Sequence, residues 1–170
     1  MISKKMQDAL NEQMNKEFYS AYMYLAMSAY SNTLGLPGFS HWMRMQYEEE
    51  IMHVTKMYDY ILDQGGVVEL KTIEQPEKEY GTPLQIFEKT LEHEQYVTGL
   101  INDLMGLAFD ERDYATQTFL QWYVTEQVEE EANVNDILSP LRMVGEDKGG
   151  LMMIDQQLAG RMAPTPLSAK

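Results

Sequence analysis

The sequence predicts an all-α fold: a four-helix bundle with a long crossover between helices 2 and 3, plus a short fifth C-terminal helix. Three observations carry this. Gly and Pro divide the 170 residues into long uninterrupted stretches. Within each long stretch the inward candidates recur at alternating steps of three and four, the period of a helix face. The connections between stretches are short, with one exception.

The first stretch runs from about Ser3 to Thr33 and stops at "LGLPG", with Pro37 and Gly38. Its stripe is Leu10, Gln13, Glu17, Ala21, Tyr24, Ser28. The second runs from about Phe39 to Gln64, ahead of Gly65 and Gly66, with Phe39, Met43, Gln46, Glu50, His53, Met57 and Tyr60 in line. The third opens at Pro83, a residue suited to a first helical turn, and ends near Phe109. Its stripe reads Phe87, Leu91, Glu94, Thr98, Ile101, Met105. The fourth follows "FDERD" and reaches about Val144, with Leu120, Tyr123, Gln127, Glu130, Val134, Ile137 and Leu141 inward. Pro140 lies inside it and is expected to kink it. The fifth, "LMMIDQQLAG", follows Gly149 and Gly150. One domain over residues 1–162 is expected, with 163–170 a disordered tail.

The connections set the topology. The few residues between stretches one and two, and between three and four, make each pair antiparallel neighbours. Between two and three lies "GGVVELKTIEQPEKEYGT", in which "VVEL" reads as extended. A helix of roughly 27 residues is about 40 Å long. An extended linker of roughly 17 residues spans more than about 50 Å. The linker therefore runs the length of the bundle and makes helices two and three parallel.

Composition narrows the function. The formal charge is −14, which argues against nucleic acid as a partner and suits a protein that attracts cations. With no cysteine, disulfides, thiolate metal sites and cysteine nucleophiles are excluded. The 14 methionines read as flexible core filling. The start, "MISKKMQDALNEQ", has no apolar run like a signal peptide, and no stretch is apolar enough to span a membrane. A cytoplasmic protein is expected.

The chemistry lies where the stripes turn polar. Glu17, Glu50, Glu94 and Glu130 each fall near the middle of a helix, on its inward side. Four midpoints in a bundle of alternating direction come to one level. His53 is i+3 from Glu50, and Gln127 is i−3 from Glu130, so each shares a face with its carboxylate. A lone inward Glu is ordinarily explained by a hydrogen bond, and a lone Glu-x-x-His arises often by chance. Four buried carboxylates at one height are different: burial and mutual repulsion raise their pKa values unless cations compensate. Carboxylate oxygen with one imidazole and no sulfur suits iron or manganese, and zinc also. Two divalent ions share the set if Glu50 bridges them, with Glu17 and His53 on one and Glu94 and Glu130 on the other.

The residues that build this pattern, "ALNEQMNKEFYSAYMYLAMS", "EEEIMH", "LEHEQ" and above all "FLQWYVTEQVEEE", resemble the non-haem ferritins of bacteria and archaea. The likeness covers nearly the whole chain. It implies a ferritin-like fold and a homo-oligomeric shell of 24 subunits that oxidises ferrous iron with dioxygen or hydrogen peroxide and stores ferric mineral inside. It carries the paired-iron ferroxidase centre onto Glu17, Glu50, His53, Glu94 and Glu130, with Gln127 beside the second iron. It also implies a third iron site on Glu49, Glu126 and Glu129, sharing Glu130; the one-turn spacing of Glu126, Glu129 and Glu130 supports that independently. Glu48 and Glu131 read as solvated surface. Tyr24, two turns from Glu17, matches a family tyrosine that hydrogen-bonds a ligand or supplies an electron. Trp122, near the same level, reads equally as packing or as a redox group, and His41 and His93 as surface or helix-end residues.

Two relatives are separable: Dps-type mini-ferritins, which place their metal site between subunits and lack the fifth helix, and the bacterioferritins. Bacterioferritins keep a second Glu-x-x-His, where this chain has Gln127 and Glu130. They also place a haem-ligating Met directly after the bridging Glu, where this chain has Ile51, with Met52 about 100° round the helix. No haem is expected. Two other functions remain: a ferritin-like di-iron oxidase or peroxidase that stores nothing, and a metal-free structural bundle.

Overall fold

A computed structural model describes residues 1–164 of the chain; residues 165–170, most of the expected tail, lie outside them. Five helices follow in order: α1 (Lys4–Thr33), α2 (Pro37–Asp63), α3 (Pro83–Asp110), α4 (Tyr114–Val144) and α5 (Lys148–Leu158). Among the described residues there is no strand.

Each helix start has an identifiable acceptor for its free N–H groups. The Ser3 hydroxyl accepts from Met6 N at 3.0 Å. Thr82 and Gln85 form a reciprocal capping box ahead of Pro83. Asp113 accepts from Thr116 N at 3.0 Å. Asp147 accepts from Gly149 N and Gly150 N, so α5 begins at Lys148, ahead of the two glycines expected to precede it. The exception is α2, whose Leu36 offers no side-chain cap. Asp155 of α5 supplies it instead: its Oδ1 accepts from Gly38 N at 2.8 Å and Phe39 N at 3.0 Å. A Cβ on Gly38 would sit 1.7 Å from the Asp155 carbonyl oxygen, so this docking requires glycine.

The packing fixes direction. Ser28 meets Ser40 while Glu17 meets Glu50 and His53, so α1 and α2 are antiparallel. Ser20 meets His93 while Met27 meets Thr90, so α1 and α3 are antiparallel as well. Helices α2 and α3 are therefore parallel, as the long linker predicts. Gln46 with Glu130 and Tyr60 with Thr116 make α2 and α4 antiparallel. Pro140 lies inside α4 and does not end it.

The linker is extended, yet its partner is a row of side chains. Gln7, Asn11 and Asn15 stand at i, i+4 and i+8 on α1. They accept from the N–H groups of Val67, Glu69 and Lys71 at 2.9, 2.7 and 2.9 Å. Asn11 and Asn15 also donate to the Val67 and Glu69 carbonyls at 2.9 and 3.0 Å. Three amides thus satisfy a backbone that would otherwise need a sheet.

The core falls into two apolar halves. One contains Tyr24, Met27, Phe39, Met43, Phe87, Val134 and Leu138, and α5 packs on it through Ile154 and Leu158. The other contains Met6, Leu10, Met14, Met57, Ile61, Ile101, Leu120 and Tyr123. The α3 stripe differs from expectation. Its buried residues are Ile86, Phe87, Thr90, Glu94, Val97, Ile101, Leu104 and Ala108, while Leu91, Thr98 and Met105 are only partly covered. In α4, Leu138 rather than Ile137 is buried.

Candidate metal centre

Between the two apolar halves lies a polar layer. Glu17, Glu50, Glu94 and Glu130 are each at most 3% exposed, and His53 is 2% exposed. Each helix places one carboxylate there because its stripe carries apolar residues above and below that turn. Packing at both ends forces the middle inside.

Amides and one phenol orient the carboxylates. Gln13 Nε2 donates to Glu17 Oε1 at 2.8 Å. Gln46 Nε2 donates to Glu130 Oε2 at 2.9 Å and lies 3.4 Å from Glu50 Oε1, joining α2 to α4. Gln127 Nε2 donates to Glu94 Oε2 at 3.1 Å and to the Glu94 carbonyl at 3.2 Å. The Tyr24 hydroxyl donates to Glu94 Oε1. The Tyr123 hydroxyl donates to the His53 carbonyl at 2.7 Å, fixing the backbone of the imidazole. The edge of Trp122 meets the His53 ring at 5.3 Å between centroids, and the Lys56 ammonium lies over the indole.

These supports are incomplete. Glu17 Oε2, His53 Nε2 and Gln46 Oε1 are buried and have no hydrogen-bond partner. Such groups cost free energy unless something else binds them. Burial, with the Glu50 charge next, pushes the Glu17 carboxyl up to about 8; His53 and the Gln13 amide oppose the shift. Burial and then Glu130 push Glu50 up to about 8, against the Gln46 amide. Glu94 and Glu130 are raised too, by burial first and then by neighbouring carboxylates, Glu50 acting on Glu94 and Glu94 on Glu130. A divalent cation removes both causes, and the donor set of oxygen and imidazole suits one. Among the described residues, Glu17, Glu50 and His53 form a set whose ligand atoms all lie within 4.8 Å of one another. Glu94 and Glu130 complete the layer on the other two helices.

The outer acids behave differently. Glu129 is exposed and Glu126 half-buried. Burial first, then the charges of Glu129 and Glu49, raise the Glu126 pKa, with His53 opposing. Glu49 is turned to Arg161, whose Nη2 lies 2.5 Å from Glu49 Oε2. Of the remaining acids read as solvated, Glu131 is half-buried and accepts from Thr98 Oγ1 at 2.6 Å, while Glu48 pairs with Arg44 at 3.5 Å.

Two histidines complete the account. His41 lies near the start of α2, its Nε2 2.8 Å from the Arg161 carbonyl oxygen. His93, expected at the surface or a helix end, is in mid-α3 and largely buried. It meets Ser20 Oγ at 2.7 Å, and burial lowers its pKa to about 4. The supporting roles of Gln13 and Gln46 were not assigned from sequence. Their signal was present: each stands four residues before a stripe carboxylate, on the same face.

A four-helix bundle with a crossover and a carboxylate-imidazole layer at its waist defines the class of ferritin-like metal-binding proteins. Residues 7–144 match the ferritin family by its ferritin-like domain, and the chain belongs to that family. It is 43% identical over 161 residues to the bacterial non-heme ferritin of Bacteroides fragilis (strain 638R), covering 95% of this chain and 100% of that protein. A probable bacterial non-heme ferritin-like protein of Haemophilus influenzae is 41% identical over 93% of this chain and 96% of its own. Among solved structures, an open pore ferritin from the hyperthermophilic archaeon Archaeoglobus fulgidus superimposes with a TM-score of 0.94. It is 51% identical over 95% of this chain and 100% of that one. A humanized archaeal ferritin gives 0.96 at 48% identity, over 97% and 100%. No described helix is long and apolar enough to cross a membrane.

Proposed function

We propose that the chain stores iron by oxidising ferrous iron at a paired-iron centre in the bundle waist and depositing ferric mineral in the cavity of a homo-oligomeric shell of 24 subunits. The observation that carries the reading is the layer of four buried carboxylates and one imidazole, with Glu17 Oε2 and His53 Nε2 left without partners. A cation bound between them satisfies both atoms at once.

Ferrous iron is the substrate. Glu17 and His53 hold one ion, Glu94 and Glu130 the other, and Glu50 bridges them. Gln127 stands beside the second ion and fixes Glu94 through its amide. Tyr24 fixes the other oxygen of the same carboxylate. Each ferrous ion gives up one electron to dioxygen or hydrogen peroxide, and the ferric product moves towards the cavity. Glu49, Glu126 and Glu129, sharing Glu130, form an outer site for a further iron on that route. With Gln127 and Glu130 in place of a second Glu-x-x-His, the centre is asymmetric and the second ion is held more weakly than the first. Ile51 after Glu50 leaves no thioether in the register used for haem, so the shell carries none.

Stopped-flow oxidation of ferrous iron tests this. Glu50→Ala with His53→Ala is expected to abolish the fast phase while the assembled particle keeps its size. Unchanged fast oxidation in an assembled variant rules the ligand set out.

A further inference from the structure

Arg161, three residues beyond the end of α5, is held at four points. Its guanidinium carbon lies 4.1 Å from the centroid of the Trp42 ring. Nη1 donates to the Trp42 carbonyl at 3.3 Å, and Nη2 to Glu49 Oε2 at 2.5 Å. Its own carbonyl oxygen lies 2.8 Å from His41 Nε2. The two charged side chains are only 18% and 23% exposed, so water screens the pair less than it screens the other Lys and Arg ion pairs among the described residues.

The position of this cation matters more than its strength. Glu49 is the residue before Glu50 on α2 and is one of the acids assigned above to the outer site. Arg161 therefore holds a carboxylate oxygen that iron at the outer site would need.

We propose that Arg161 is the resident counter-cation of the outer iron site. It occupies Glu49 between turnovers, and iron arriving there must displace it. Arriving iron repels the guanidinium and competes for the same oxygen, so Arg161 keeps the third site weak and iron passes through it rather than staying. Trp42 and the chain end hold the displaced guanidinium nearby, ready to return. This rests on the outer-site reading given above, and it assigns Arg161 a positioning role on Glu49, with no contact to the inner pair.

The test is anaerobic titration of the assembled, metal-free protein with ferrous iron, followed by calorimetry. Arg161→Gln is expected to tighten the third and weakest binding step by about fivefold to tenfold, the scale of one half-buried ion pair. The first two steps serve as the internal control. Arg161→Lys, which keeps the charge and loses the fork, is expected to leave the third step within about twofold of the parent. A role confined to anchoring the chain end predicts the same change in both variants, since both disturb the stacking on Trp42, and that result overturns the proposal. A third step of equal or lower affinity in Arg161→Gln overturns the proposal while the outer site stands. A third step that Glu126→Ala leaves untouched in the parent protein overturns the outer-site reading, and this proposal with it.

Discussion

Glu49 and Glu50 are consecutive residues of α2, yet their charges are handled in opposite ways. Glu50 is 2% exposed, has three other buried carboxylates for company, and is pushed up to about 8. Among the described residues no basic side chain reaches it except His53, whose Nδ1 is 3.4 Å away. Glu49, one residue earlier and about 100° round the helix, meets an arginine. The chain supplied a cation to the outer acid and none to the inner one. Uncompensated charge inside a folded protein is a demand for a ligand; compensated charge at its edge is a site with an incumbent. On the proposed function, the inner layer is completed by metal and the outer acids let metal pass.

The largest effect that would break this contrast comes from the bridge. Glu50→Ala should reduce the fast phase of ferrous oxidation by more than about 100-fold, beyond the range typical of groups that only orient ligands. Removing an orienting amide should cost less. Gln46→Ala frees Glu130 and Glu50 together, and a loss of about 10- to 100-fold in affinity at the inner pair is expected by anaerobic titration. A loss below about twofold would mean that the amide is mere packing.

The pH dependence sharpens the same contrast. In the metal-free protein Glu17 and Glu50 lie near 8, against 4.5 for a free carboxyl. Between those values the folded state keeps protons that the unfolded chain has released, so stability falls as pH rises through that window. The burial penalty is absent below 4.5 and complete above 8. Thermal melts of metal-free protein should therefore fall from about pH 5 to about pH 8, while a divalent-loaded sample gains most from metal at the upper end. A metal-free profile that is flat or rising would contradict the buried-charge account. The smallest effect belongs to the outer acids. Glu129→Gln, at an exposed position, should change the first turnover by less than about twofold and show itself only in repeated turnovers.

Much of this was legible in the sequence because helical periodicity is a local signal. The four long helices, the crossover and the four mid-helix carboxylates follow from spacing alone. The α3 phase did not. Alternation of three and four has two solutions that share Phe87, Glu94 and Ile101. Thr90 reads as an outward residue until its hydroxyl is seen donating to the Ile86 carbonyl at 3.0 Å. Gly149 and Gly150 read as breakers ahead of α5, yet Asp147 caps them into its first turn. His93 was placed at the surface because nothing in its own helix shows that Ser20, Tyr19 and Tyr24 close around it. Arg161 lies beyond the last periodic segment, and its meeting with Glu49 joins residues 112 apart in sequence.

The most direct test is an anomalous-scattering map of crystals soaked with ferrous iron without oxygen. The account predicts two peaks in the bundle waist, one within reach of Glu17, Glu50 and His53, the other of Glu50, Glu94 and Glu130. A fully soaked crystal with no density between those side chains, and with Glu17 Oε2 and His53 Nε2 still unpartnered, would contradict it.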